Sequence, residues 1–289
     1  MILGDPELVR QLDVIARPGG VAYGLSDVHL APEACSVAYR AGEVAGFTMG
    51  VRLNDAGGVP FAFLRLGVGE RHRRNGVGSA LLARAVAQLE ASTPLREILI
   101  GAWIPGEAAE RFVEHHRLVY SRTYWLMERP KGGMADAVWP DGIVMRTYDG
   151  SRRAIEDLTE IANDSFSEHD HFAPGTVEEA LSLTQTDVFR ADGLALAYRG
   201  KDCLGFCRCT IYPGRGEISA IGTSKRARGI GLGRALLRWG VGWLEANDSP
   251  RVTLMVDGEN ESALRLYRQE AFEVVATRKR WSKRGRLWS

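Results

Sequence analysis

The chain has 289 residues, of which 45% are hydrophobic and 25% are charged, and its formal net charge is +1. That length suits two domains of about 140 to 150 residues better than one core. The balanced charge argues against nucleic acid or an anionic membrane as the main partner. The N-terminus carries Asp5 and Glu7 where a secretory signal is basic and then apolar, and no apolar run approaches the roughly 18 residues of a membrane span, so we expect a cytoplasmic protein.

The first half of the chain predicts a hairpin, a third strand, a glycine-rich loop, a helix, a buried strand and a second helix. The strands are expected at residues 35–40, 44–51, 61–68 and 97–103, and the second helix at residues 107–116. The turn "NDAGG" at residues 54–58 separates the second and third strands. Only about 34 residues precede the hairpin, so an additional first strand is expected to be short or absent.

A segment rich in Gly and Pro, "PKGGMADAVWPDG" at residues 130–142, is the expected linker. We therefore expect one domain over residues 1–132 and another over residues 133–289. In the second domain, Ser151 is the expected N-cap of a helix. The other predicted elements of this domain, in order, are strands at 142–148, 194–199, 204–211 and 217–223, a glycine loop, a helix to about Asn247, a strand at 251–257, a helix at 261–269 and a final pair of strands.

The two halves repeat one plan. "LAYRGKDCLGF" at residues 196–206 matches "VAYRAGEVAGF" at an offset of 159, and "RGIGLGRALL" at residues 228–237 matches "RRNGVGSALL" at an offset of 155. The difference of four residues fits a longer turn at residues 54–58. The chain is therefore predicted to be a tandem repeat of one α/β domain with a mixed (α+β) sheet.

Each glycine loop lies between a strand and a helix start, which is typical of an anion-binding site. The first N–H groups of a helix are unpaired, the helix dipole adds positive potential, and glycines let the backbone approach a phosphate. The predicted pyrophosphate-binding residues are Arg228, Gly229, Gly231, Gly233 and Arg234 in the second half, and Arg73, Gly76 and Gly78 in the first. The loop is not a P-loop and fits a dinucleotide fingerprint poorly. A tight turn without a ligand is the alternative, and the duplicated spacing disfavours it.

With these elements in this order, the chain resembles the GNAT superfamily of N-acetyltransferases. Their acetyl-CoA loop has the pattern Gln/Arg-x-x-Gly-x-Gly/Ala, and their second signature, Asn-x-x-Ala-x-x-x-Tyr-x-x-x-x-Phe, is matched by Asn260, Ala263, Tyr267 and Phe272. The tandem arrangement is most similar to the mycothiol synthase family and its uncharacterised relatives. The resemblance covers nearly all of both halves. It implies two tandem GNAT domains, acetyl-CoA as cosubstrate and a small-molecule amine as acceptor.

The resemblance also implies roles for single residues of the second half. Glu217 would take a proton from the acceptor amine, directly or through water, and Tyr267 would protonate the departing thiolate. Asn260 would orient the pantetheine arm. The thioester carbonyl and the pantetheine would be held by three consecutive residues, Ile221, Gly222 and Thr223. A solvated Glu217 and a Tyr267 that only packs in the core are the alternatives.

At an offset of 155, the first half lacks these groups, because Glu217 corresponds to Ala62, Asn260 to Pro105 and Tyr267 to Phe112. The first half is therefore predicted to be catalytically silent, yet needed for the second half to fold or to shape its acceptor site. Weak acetyl-CoA binding by its retained loop is left open. Two related domains packed as a pseudo-dimer predict a monomer or a weak homodimer.

The acceptor is expected to bind near the central strand, at residues implied by the resemblance: Glu168, His169, Asp170, His171, Phe172 and Tyr212. The carboxylates of Glu168, Asp170 and Glu217 favour an amine of modest positive charge, and simple solvation of the first two is the alternative. In the mycothiol synthase family a lysine on the third strand helps to hold the substrate. Thr210 stands at the matching position here, which argues against a mycothiol precursor.

Three cysteines in "CLGFCRC", Cys203, Cys207 and Cys209, are predicted to be buried reduced thiols, because no second Cys/His pair stands at zinc-ligand spacing. No metal site is expected. One rival function is a CoA-sensing or scaffolding protein without turnover. Another is nucleic-acid binding by the basic tail at residues 278–289, for which a solvated last strand is the favoured alternative.

Overall fold

The structure is a computed structural model that describes residues 34–91, 93–103 and 106–284. The chain divides into two compact units, which we call unit 1 (residues 1–124 and 276–289) and unit 2 (residues 125–275). The predicted domains, residues 1–132 and 133–289, are defined by the repeated sequence. Their boundary stays a prediction. The expectation of a short or absent first strand falls on residues 1–33, outside the described residues.

Unit 1 is built around a sheet with a helix on the face that carries its core. Its strands β1 to β3 run antiparallel and β3 pairs in parallel with β4. The last strand of the chain, β11, pairs antiparallel with β4 through Arg278–Arg284. The elements are β1 (Ser36–Arg40), β2 (Glu43–Asn54), β3 (Pro60–Val68), α1 (Val77–Leu89), β4 (Glu97–Trp103), α2 (Glu107–His115), the first part of β5 (Val119–Pro130) and most of β11 (Glu273–Arg284).

Unit 2 follows the same plan and adds helices on the opposite face. Strands β6 to β9 run antiparallel, and β9 pairs in parallel with β10. Helix α5 covers one face of the sheet and α3 covers part of the other. The elements are β6 (Val144–Thr147), α3 (Arg152–Phe166), α4 (Val177–Leu183), β7 (Leu194–Arg199), β8 (Asp202–Tyr212), β9 (Arg215–Thr223), α5 (Leu232–Ala246), β10 (Arg251–Asp257) and α6 (Glu261–Gln269).

Local sequence explains where the helices begin. The Ser151 hydroxyl accepts a hydrogen bond from the Ala154 N–H, which confirms the predicted cap of α3. Thr176 and Glu179 form a capping box at α4. The predicted strands and helices of both halves are present, with one exception. Within the described residues, the final pair of strands is a single strand, β11, because the chain runs on without a turn along β4.

One difference between the two sheets changes how the copies correspond. The pairing of β8 with β9 skips Ser219, an extra residue that forms a β-bulge, whereas β2 and β3 pair without interruption. Thr210 lies opposite Glu217. Val51, which stands 159 positions before Thr210 on β2, lies opposite Phe63. The counterpart of Glu217 is therefore Phe63, and the predicted match to Ala62 is wrong by one residue.

The helices after β4 and β10 need the same correction. Helix α2 begins at residue 107 and α6 at residue 261, an offset of 154, and the positive φ angles after the two helices, at Arg117 and Ala271, keep that offset. The structural counterparts of Tyr267 and Asn260 are therefore Val113 and Gly106, in place of the predicted Phe112 and Pro105. Pro105 itself lies outside the described residues. The conclusion that the first half lacks all three polar groups is unchanged.

No helix in the described part of the chain combines the length and the apolar character needed to cross a membrane.

Candidate active site

The glycine loop of unit 2 has the geometry of an anion cradle. Gly229 and Gly231 have φ angles of 80° and 90°, in the left-handed region that favours glycine, and Gly231 is the N-cap of α5. In the described part of the chain, no side chain caps the helix, and no heavy atom beyond the chain neighbours lies within 4 Å of a Cβ built on either glycine. The first N–H groups of α5 have no intrahelical acceptor, and the loop leaves space beside both glycines, which fits the binding of a phosphate group.

The two arginines predicted to bind pyrophosphate already have partners. Arg228 Nη2 lies 2.7 Å from the Glu168 carboxylate, and Lys225 Nζ lies 3.2 Å from its other oxygen. The hydrogen bonds from Arg228 and Lys225 hold the pKa of Glu168 below its usual value. Arg234 reaches the far end of α6, where its nitrogens lie 2.7 Å from Glu270 and 2.5 Å from a neighbouring glutamine. Arg228 stays at the loop, whereas Arg234 ties α5 to α6.

The sheet of unit 2 opens beside this loop. Strands β9 and β10 pair only from Gly216 to Ile218, although β9 runs on to Thr223. The β10-facing edge of β9 is therefore unpaired along Ile221 and Thr223, where the resemblance implies pantetheine contacts. Gly222 has a packing role as well, because a Cβ there would lie 2.7 Å from the Ser165 side chain of α3.

Tyr267 and Glu217 lie on opposite faces of the sheet, at this opening. Tyr267 is buried in the core under α5, and among the described residues its hydroxyl makes no hydrogen bond. Burial, and the nearby Cys207, raise the pKa of this hydroxyl. Asn260 caps α6, since its Oδ1 accepts from the Ala263 N–H at 3.1 Å. Its Nδ2 is the group left for the predicted contact with pantetheine.

Glu217 belongs to a polar cluster on the face away from α5. Its carboxylate is buried and pairs with Arg215 at 3.2 Å, which stabilises the charged form. Ser219, the bulge residue, accepts hydrogen bonds from Arg208 Nε at 3.0 Å and from Thr210 Oγ1 at 3.1 Å. Sequence reasoning missed Arg208, Arg215 and Ser219. Their signal is the polar residue at every second position of two otherwise apolar strands.

The three carboxylates expected at the acceptor site each lie beside a basic side chain. Glu168 is bound to the glycine loop, Asp170 lies 2.8 Å from the His171 ring, and Glu217 pairs with Arg215. Each of these carboxylates therefore has a basic neighbour in this structure, and the expectation of a cationic acceptor stays a prediction.

Unit 1 has a similar glycine loop, but different side chains surround it. Gly76 has a φ angle of 75° and starts α1, but a Cβ on Gly78 would lie 3.1 Å from the ring of Phe112. A hydrogen bond of 2.9 Å between Ser79 and His116 takes the place of the ion pair between α5 and α6. Burial lowers the pKa of His116. The Arg73 side chain bonds to a backbone carbonyl at 3.3 Å.

The remaining predictions concern cysteines and the basic tail. Cys207 and Cys209 are buried free thiols with sulfurs 4.0 Å apart, as predicted, whereas Cys203 is only half-buried. Among the described residues, no group of three or more His, Cys, Asp or Glu side chains is placed to hold a metal ion. The described part of the tail is β11, in which Arg280 is buried and donates to the Tyr124 hydroxyl at 2.7 Å. This confirms a strand over residues 278–284, but Arg280 and Trp281 are buried, so these two do not fit the expected solvated strand. Residues 285–289 of the tail lie outside the described residues.

Comparison with known proteins gives consistent matches. A family model described as the acetyltransferase (GNAT) family matches the chain twice, at residues 13–116 and 155–272. A mycothiol acetyltransferase of Saccharopolyspora erythraea is 32% identical over 72% of this chain and 71% of its own length. Another, from Arthrobacter sp., is 30% identical and covers 93% of this chain and 84% of its own length.

Solved structures agree on the fold. A tandem GNAT protein from the clavulanic acid biosynthesis pathway superposes with a TM-score of 0.73 at 15% identity, covering 98% of this chain and 97% of that one. A GCN5-related N-acetyltransferase from Sphaerobacter thermophilus gives 0.68 at 24% identity, covering 84% and 78%. The mixed α/β fold with two tandem domains of this type is confirmed.

Proposed function

Because the chain belongs to the acetyltransferase (GNAT) family, we propose that its second half transfers the acetyl group of acetyl-CoA to the primary amine of a small molecule. The observation that carries the proposal is the contrast between the units. Glu217 and Tyr267 flank an opening in the unit 2 sheet, whereas the same positions in unit 1 hold Phe63 and Val113.

Acetyl-CoA would be held by its phosphates and its pantetheine. The N-terminus of α5 and Arg228 supply N–H donors and positive charge for the pyrophosphate. Arg228 would have to exchange Glu168 for the phosphate, so Glu168 is expected to move when the cosubstrate binds. The free edge of β9 at Ile221 and Thr223 supplies donors for the pantetheine and the thioester carbonyl.

In the reaction, the amine nitrogen forms a bond to the thioester carbon, the nitrogen loses a proton, and the carbon–sulfur bond breaks. The carboxylate of Glu217, which pairs with Arg215, accepts a hydrogen bond from the amine and takes its proton as the new bond forms. The Tyr267 hydroxyl donates to the sulfur as it becomes a thiolate. Its raised pKa keeps the phenol protonated, so its contribution is a hydrogen bond more than a complete proton transfer.

The test is acetylation by the purified full-length chain of a panel of primary amines, with release of the CoA thiol and the mass of the product as readouts. Tyr267→Phe should lower kcat by about 10²- to 10³-fold, as expected for loss of one hydrogen-bond donor, with little change in acetyl-CoA affinity, since the ring still packs. Tyr148→Phe is the matched control, because the Tyr148 ring packs on Phe189 away from the site.

Full turnover in both Tyr267→Phe and Glu217→Gln would remove these residues from the mechanism. Acetyl-CoA binding without transfer to any amine would instead favour the CoA-sensing or scaffolding alternative.

A second candidate is acetylation of a mycothiol precursor, which the names of the curated relatives favour. Thr210 stands where the mycothiol synthase family carries a lysine, and its hydroxyl is already bonded to Ser219 at 3.1 Å. Including that precursor in the amine panel separates the two candidates.

A further inference from the structure

Among the described residues, Arg208 has no direct ion pair, and the negative charge of Glu217 acts on it only at longer range. It is half-buried on β8, and its Nε donates to the Ser219 hydroxyl at 3.0 Å. Its terminal Nη nitrogens make no hydrogen bond or ion pair with the part of the chain that the structure describes. Burial lowers the pKa of this guanidinium, and the nearby Tyr212, Glu217 and Cys209 oppose that shift only in part. A charge that is partly removed from water is costly unless a counter-charge or donors and acceptors compensate it.

The fold itself does not require a cation at this position. The corresponding residue of β2, 159 positions earlier, is Met49, which is 1% exposed and packs as an apolar side chain. Glu217 does not require it either, because Arg215 already pairs with that carboxylate. The guanidinium therefore occurs only in the unit that also carries Glu217 and Tyr267.

The position of Arg208 relates it to the proposed reaction. Thr210 lies opposite Glu217, and Arg208 is two residues along the same strand on the same face. Diagonal neighbours of this kind are about 7 to 8 Å apart. Arg208 itself lies opposite Ala220, next to the free edge that begins at Ile221. An acceptor whose amine contacts Glu217 can thus reach the guanidinium with a group a few bonds away.

We infer that the acceptor amine belongs to a molecule with a carboxylate close to the nitrogen, as in an amino acid, and that Arg208 binds this carboxylate. Two Nη donors match the two oxygens of a carboxylate in a planar pair. The Ser219 hydroxyl fixes the Nε end of the fork, so the bulge that distinguishes β9 from β3 orients the guanidinium. The inference rests on the proposed function for the role of the amine.

The experiment is a calorimetric titration of the full-length chain, loaded with CoA, with the proteinogenic α-amino acids and their primary amides. We expect the best-bound acid to bind about 10- to 100-fold more tightly than its amide. Arg208→Gln should abolish that preference, and Arg208→Lys should restore part of it because the charge returns without the fork. Arg199→Gln, an exposed arginine at the end of β7, is the matched control.

CoA carries no acetyl group, so this binding measurement does not depend on turnover. A preference for acids without any acetylation would support the carboxylate site and count against the proposed reaction. Equal binding of acid and amide, no binding by any pair, or an unchanged preference in Arg208→Gln would overturn the inference. A separate acetylation assay gives a further contradictory outcome. If Arg208→Gln lowered kcat equally for an amino acid and its amide and left the binding of both unchanged, Arg208 would act on the thioester carbonyl instead.

Discussion

Units 1 and 2 start the same helix from a left-handed glycine, Gly76 or Gly231, and then differ in almost every group around it. Where unit 2 has Glu217 beside a bulge, unit 1 has a regular strand with Phe63, whose ring packs on Phe61. Where unit 2 has a buried Tyr267, unit 1 has Val113. Both units have the glycine turn and the apolar strand faces that the backbone plan needs, and they differ in the polar groups that the proposed reaction would use.

The ties between the two helices of each unit differ in the same way. In unit 2, Glu270 accepts hydrogen bonds from Arg234 and Arg238, which fastens the end of α6 to α5. In unit 1 the hydrogen bond between Ser79 and His116, a pair without a carboxylate, joins the corresponding helices. The same contact between two helices can therefore be stabilised by an ion pair or by a hydrogen bond between uncharged groups. The loss of stability on removing one partner should differ between the two.

The largest expected effect comes from placing a carboxylate in each glycine loop. Gly231→Glu should abolish acetyl-CoA binding and turnover, because it puts a negative side chain where the pyrophosphate belongs, whereas Gly76→Glu should leave turnover nearly intact. The pair is matched, since both glycines have positive φ and open space at Cβ, so each variant incurs a similar backbone strain of about 1 to 2 kcal/mol. Turnover and calorimetric CoA affinity are the readouts.

Loss of activity in a normally folded Gly76→Glu protein would contradict this division, because it would make the first loop a working site.

A smaller effect, on stability, should separate the two helix ties. Glu270→Ala leaves two guanidinium groups without their shared acceptor and should lower the free energy of unfolding by about 2 to 3 kcal/mol, allowing for their partial exposure. Ser79→Ala removes one neutral hydrogen bond and should cost about 1 kcal/mol. Urea unfolding measures both, and equal losses would show that the charge adds nothing to this contact.

The smallest effect concerns Gly233 and Gly78, which lie in the first turn of α5 and α1, two residues after the N-cap glycines. A Cβ on Gly233 would meet Leu266 at an ordinary 3.8 Å, so Gly233→Ala should raise stability by about 0.5 to 1 kcal/mol through helix propensity while weakening acetyl-CoA binding several-fold. Gly78→Ala should lower stability slightly, because Phe112 would have to shift. Thermal unfolding with and without CoA gives both numbers. A stabilised Gly78→Ala would mean that the ring moves freely.

The sequence by itself was sufficient for most of the fold. Alternating apolar residues marked the strands, Ser151 marked a helix start, and the paired glycines at Gly76 and Gly231 marked the two loops, because these signals are local and depend on backbone conformation. The repeat added the tandem plan. Fixed sequence offsets then placed Ala62, Pro105 and Phe112 one residue away from the true counterparts.

Only the tertiary structure decided the details of the site. A bulge at Ser219 adds one residue to β9 with no local mark in the sequence, and only the register against β8 reveals it. The partners of Glu217, Glu168 and Arg234 come from other positions or elements, so their choice depends on which side chains the fold brings within a few ångströms. The Arg208 guanidinium is of the same kind: its Nε bonds to Ser219 while its Nη nitrogens have no partner among the described residues, and only the packed structure shows this.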